Sequence, residues 1–130
     1  MIGAERGQAL VEFALVLPVL LVIALAIAEL STLGVARLAL EHAAAEGART
    51  AALTNDDLLV RASVSAAAAP LDGGQVDVVI DPPQAQRGSD PRGTLIHVRL
   101  RYAVVAPLSF IGLPSLVVRG EAARLMEWTP

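Results

Sequence analysis

Hydrophobic residues follow two regimes along the chain. Near the start they run almost without interruption, and in the second half they alternate with polar ones. From Ala9 to Ala28 the only ionisable residue is Glu12. The uncharged stretch Phe13 to Ala28 falls short of the roughly 20 apolar residues of a full bilayer span. Counting Ala9 to Val11 and neutralising Glu12 brings it to spanning length. Pro18 removes one backbone hydrogen bond, a loss that membrane helices tolerate better than soluble ones. Helical signals then continue from Glu29 to about Leu53, rich in Ala, with Leu30, Leu33, Leu38 and Leu40 interspersed and polar groups spread around the wheel. The pattern predicts one helix over residues 8–53 whose first half spans a membrane.

Thr54-Asn55-Asp56-Asp57 ends this helix and starts a second. Thr54 or Asn55 is the expected N-cap, and the two Asp suit the positive helix end. The second helix is expected to run to about Ala69, stopped by Pro70, with a modest face of Leu58, Leu59, Ala62, Val64 and Ala66. Asp72-Gly73-Gly74 reads as a turn. The period then becomes two. Over Gln75–Asp81, Val76, Val78 and Ile80 share one face, with Asp77, Val79 and Asp81 on the other. Pro82-Pro83 ends that strand, and residues 84–93 read as a loop. A second strand is expected from Thr94 to about Val105, with Ile96, Val98, Leu100 and Tyr102 opposite His97, Arg99 and Arg101. After an apolar connection from Pro107 to Pro114, a last strand runs from about Leu116 to Glu127. Pairing the last two strands brings Glu121 near Arg99 or Arg101, a favourable cross-strand contact. The predicted class is α+β: a long N-terminal transmembrane helix, a short second helix and a three-stranded antiparallel sheet with one face on the helix.

Two features look like contact surfaces. Ala39, Ala43, Gly47 and Ala51 recur every four residues, a small-xxx-small stripe that lets backbones approach closely. It would meet a partner subunit or the chain's own sheet, unless it merely reflects the high helix propensity of Ala. The segment Ser109-Phe110-Ile111-Gly112-Leu113 is an apolar tip that either tucks under the sheet or touches a partner or a membrane surface.

A length of 130 residues suits one domain, or an anchor plus a small domain. Hydrophobic residues make up 55% of the chain and aromatics only 3%, so the apolar excess is small and aliphatic. A net charge of -3 gives no basic patch for nucleic acid. There is no Cys, which excludes disulfides and thiolate chemistry. His42 and His97 have no carboxylate or Cys at metal-ligand spacing. Asp72, Asp77, Asp81 and Asp90 do not form a calcium loop, and Asp56 and Asp57 read as helix-start charges. No nucleophile elbow, P-loop or dinucleotide fingerprint occurs. These observations predict a protein that is not an enzyme and takes no cofactor or metal.

The first 30 residues admit three readings. In a plain single-pass anchor, Glu12 is incidental and reaches back to the headgroups. In a cleaved secretory signal, Ala26-Ile27-Ala28 is the cutting site, although Glu5 and Glu12 are wrong for a positive leader and the helical pattern runs on past Ala28. The third reading joins Gly7 to Glu12. A cut after Gly7 makes Gln8 the first residue, Glu12 the fifth and Phe13 the sixth, followed at once by an apolar helix. This resembles the type IV prepilin signature. The string RGQALVEFALVLPVLL resembles, more narrowly, the TadE/TadG-like family, the pseudopilins or minor pilins of the tight-adherence pilus system.

That resemblance implies a leader over residues 1–7, cut between Gly7 and Gln8 by a prepilin peptidase on the cytoplasmic side. It implies that Glu12 is an assembly charge that meets the N-terminal amine of a subunit. Residues 54–130 would form a small extracytoplasmic α+β part. The implied function is structural, in assembly of a tight-adherence type IV pilus at the bacterial inner membrane, with cell adhesion and secretion as associated roles. The implied partners are the peptidase, other pilin-like subunits, the inner-membrane pilus platform and the lipid bilayer. Two departures stand out. Major type IV pilins begin with Phe after cleavage, whereas this chain would begin with Gln8. The chain is also much longer than the short major pilin of this system, which favours a minor or initiating role. The rival from another class is a single-pass anchored extracytoplasmic binding module unrelated to pili. A mere anchor has no need of a helix that continues to about Leu53.

Overall fold

A computed structural model of the chain describes residues 2–105, 112 and 114–130. Helix α1 spans Ile2–Thr54 and helix α2 spans Asp57–Ala67. Strands β1 (Asp77–Asp81), β2 (Leu95–Val104) and β3 (Leu116–Leu125) form one antiparallel sheet in the order β1-β2-β3. The architecture is therefore the α+β arrangement expected from the sequence. The apolar tip, apart from Gly112, lies outside the described residues.

At about 1.5 Å per residue, α1 is a rod of roughly 80 Å. Pro18 lies inside it without ending it. The rod has two unlike halves. An 18-residue window of mean hydropathy 2.9 has none of its residues buried, which makes this helix long and apolar enough to cross a membrane. From Ala36 onward one face is buried, through Ala39, Leu40, Ala43, Ala44, Ala48, Ala51 and Ala52. Where the apolar run ends, Ser31 and Thr32 donate their hydroxyls to the carbonyls of Ile27 and Ala28 at 2.9 and 3.0 Å. They thus need no partner outside the helix.

The core is a small-against-large interface. α1 offers mostly Ala, and the sheet answers with Val78, Ile80, Ile96, Val98 and Leu100. α2 closes the other side with Val60 and Val64, joined by Ala68, the residue that caps its C-terminus. This corrects the face expected for α2: Leu58, Leu59, Ala62 and Ala66 are exposed. Apolar residues surround this helix, and position relative to α1 decides which of them are buried. The N-cap is also corrected. Asp56 accepts from the backbone N–H groups of Leu58 (2.8 Å) and Leu59 (3.3 Å), while Asn55 takes φ 51 as the link between the helices. α2 ends at Ala67, and β1 begins at Asp77 because Gly73–Gln75 form a 3-10 turn.

Gly120 sets the distance between sheet and rod. A Cβ there would lie 2.7 and 2.8 Å from the carbonyl carbon and oxygen of Leu40 and 2.9 Å from its Cβ. At the far end, Glu127 and Trp128 both donate their backbone N–H groups to the carbonyl of Ala52, at 3.0 and 2.9 Å. That carbonyl is among the last four of α1, which lack partners within the helix. Arg87, buried in the connection between β1 and β2, ties the helix junction to that connection. It donates to the Pro82 carbonyl (2.9 Å) and Asn55 Oδ1 (3.1 Å), and it pairs with Asp57.

Candidate functional site

Gly7, Gln8 and Glu12 all lie on the exposed N-terminal part of α1. Residues four apart on a helix are neighbours on one face, about 5–6 Å between Cβ atoms. Gln8 and Glu12 therefore point the same way, one turn apart. A chain that began at Gln8 would hold an amine one turn below a carboxylate at the edge of the apolar run. Residues 2–7 of the assigned leader are helical, and α1 runs through the Gly7–Gln8 bond. Gly7 weakens the helix at that point, since Gly costs about 1 kcal/mol relative to Ala in a helix. The bond also sits in the first turns, where few backbone hydrogen bonds must open to extend it.

From Gly3 to Val35 only Leu25, Glu29 and Leu33 are even partly covered. Glu29 ends the apolar run, and its Oε2 is enclosed with no hydrogen-bond partner among the described residues. Glu12 is thus the sole charge within a long bare apolar surface. On insertion scales, a charged side chain at the bilayer centre costs at least about 2.5–3.5 kcal/mol. A partner cation offsets part of that cost.

The small-residue stripe is placed elsewhere. Ala39, Ala43, Gly47 and Ala51 are buried within the chain's own fold. A Cβ on Gly47 would lie 2.6 Å from Val64 of α2 and 3.3 Å from Val98 of β2. Of the two destinations considered for the stripe, this is the internal one, with α2 sharing it alongside the sheet.

The outer face of the sheet carries the polar network. Arg99 is registered opposite Glu121, and its Nε donates to Glu121 Oε1 at 3.2 Å. His97 Nδ1 lies 3.3 Å from the same oxygen, and Arg99 Nη1 is 3.7 Å from Asp81 Oδ2. The hydrogen bond from Arg99 is the main cause that holds the Glu121 carboxyl below its usual range. The alternation of β2 and β3 made the Arg99–Glu121 contact readable; His97 and Asp81 join it through the register of all three strands. Among the described residues no group of three or more His, Cys, Asp or Glu could hold a metal ion. Arg87 escaped sequence reading because a loop arginine carries no sign of burial until the fold closes over it.

No curated protein and no solved structure matches the chain. Residues 7–49 match the family model of TadE-like proteins, the family that the N-terminal string resembles, and with the exposed apolar helix this fits a protein associated with the tight-adherence (Tad) pilus.

Proposed function

We propose that the chain is a membrane-inserted, pilin-like structural subunit, a minor pilin or pseudopilin, that serves assembly of a tight-adherence type IV pilus. A prepilin peptidase cuts between Gly7 and Gln8. The mature helix stays in the inner membrane, with the sheet domain on the extracytoplasmic side. There it meets other pilin-like subunits and the pilus platform. The observation that carries this reading is the register of Gly7, Gln8, Glu12 and Phe13 at the head of a bare apolar helix inside the TadE-like match. In this role Glu12 supplies a charge that a neighbouring subunit's amine neutralises. Such a pair fixes axial register, as buried polar groups do in coiled coils. The unbroken passage of α1 from the apolar segment into the domain supports a rod that stacks side by side with others.

Replacing Glu12 tests the assembly role. Glu12→Ala removes the charge from the apolar surface, so membrane insertion stays intact or improves. Surface pili, counted by electron microscopy and by shearing, should fall sharply. Normal piliation with Glu12→Ala would remove the basis for an assembly charge.

A further inference from the structure

We propose that the end of the sheet nearest the bilayer docks on an anionic lipid surface, with Arg101 and Arg119 holding a lipid phosphate between them. The proposal rests on α1 being a membrane anchor.

β3 climbs α1 away from the apolar segment. Its start, Leu116 to Arg119, shares a 460 Å³ groove with Leu33 and Arg37. Gly120 touches Leu40, and Ala122 to Arg124 face His42 to Arg49 across a second groove. The outer sheet face can thus be read as layers of increasing height, each about 7 Å above the last at two residues per step. The lowest pairs Ala103 with Val117, the next Arg101 with Arg119, and the next Arg99 with Glu121. Apolar, cationic and acid-containing layers follow in the order in which a bilayer presents hydrocarbon boundary, phosphate and water.

The cationic layer is unusual in itself. Arg101 and Arg119 are directly opposite on adjacent strands, where like charges destabilise a sheet. Neither makes an ion pair among the described residues, although Asp77 is registered opposite Arg101 on its other side. Of the two acids near them, Glu121 is already engaged by Arg99 and His97, and Asp77 forms no ion pair with Arg101. A 140 Å³ hollow there is lined by Arg99, Leu100, Arg101, Arg119, Gly120 and Glu121. A phosphate there turns a repulsive pair into a clamp of charge-assisted hydrogen bonds.

Height agrees as well. Arg37, which shares the lower groove with Arg119, lies eight residues above Glu29, or about 12 Å along the helix. The headgroup layer is roughly 5–8 Å thick on each side, so long arginine stems reach it from there, and helix tilt brings them closer. Below them Val105 and Val117 are exposed at 73% and 57%. They are placed to meet the lipid boundary.

The full chain, which has no native Cys, allows a single label at Val117→Cys. It is reconstituted in phosphatidylcholine vesicles with or without phosphatidylglycerol, and quenching of the fluorophore by headgroup nitroxide lipid is measured. At about fivefold per arginine near an anionic surface, Arg101→Gln with Arg119→Gln should lower the docked-to-undocked ratio about 30-fold in phosphatidylglycerol vesicles. The distal pair Arg92→Gln with Arg124→Gln should leave it unchanged. Equal quenching in both lipids, or an equal loss with the distal pair, would overturn the proposal. So would protection by inorganic phosphate that needs Arg101 and Arg119 but no phosphatidylglycerol, since the clamp would then be a free-anion site. Flotation of the chain with vesicles is scored separately. Failure to float overturns the anchor reading on which docking depends, whereas flotation without lipid-dependent quenching overturns docking alone.

Discussion

Gly120 gives the sharpest test of how the sheet is seated on α1. A Cβ at this position lies within 3.0 Å of three atoms of Leu40, two of them backbone. No rotamer change at Leu40 relieves such a contact, so β3 must move off the rod. Overpacking of this kind costs about 1–3 kcal/mol. The lost freedom of the unfolded chain returns about 0.4–1 kcal/mol for Gly→Ala. A net loss of about 1 kcal/mol is expected for Gly120→Ala, and more for Gly120→Val. For a small domain the Gly120→Ala loss lowers Tm by about 4–8 °C. Strand propensity points the other way, since Val is the best of the three residues in a strand and Gly the worst. Thermal unfolding of the detergent-solubilised chain, followed by circular dichroism in the β region, should give the order Gly, Ala, Val from most to least stable. The reverse order, or three equal midpoints, would show that β3 does not approach Leu40 as described.

Two further outcomes follow from side-chain networks. Arg87→Met leaves Asp57 beside an apolar group, and breaking a buried pair in this way should cost about 3–5 kcal/mol in chemical denaturation. Adding Asp57→Asn should recover part of that loss by removing the unpaired charge. Glu121 has a folded pKa below its ordinary value. Its contribution to stability is therefore complete above the unfolded carboxylate range, about 4.3, and is lost as pH falls through the lower folded value. A scan of Tm against pH should show this loss for the parent chain, and Glu121→Gln should flatten that part of the curve.

Local periodicity carried much of the fold. The alternation Val76, Val78, Ile80 and Ile96, Val98, Leu100 marked the strands and their inner face, because a strand with one buried face has no other economical pattern. The same alternation placed Glu121 within reach of Arg99. Features set by three-dimensional approach were not legible. Small residues at Gly120 and along the stripe from Ala39 to Ala51 signal that something comes close, but not what. Val60 and Val64 were no more apolar than Leu58 and Leu59, so the buried side of α2 depended on where α1 lay. Asp56 took the cap from Asn55 because the helix junction needs a residue at positive φ, a conformation that Asn tolerates well. At the N-terminus the reverse held: Gly7 and Glu12 were conspicuous by spacing alone, since a lone acid in an apolar run is costly.

The central claim is that Gly7 and Glu12 form one device, a cutting point and an assembly charge ahead of an apolar helix. The intact mass and N-terminal sequence of the protein isolated from cell membranes test it most directly. A chain that starts at Gln8 with its α-amine free is the predicted result. A chain that keeps Met1, or one that starts at Glu29, would contradict it.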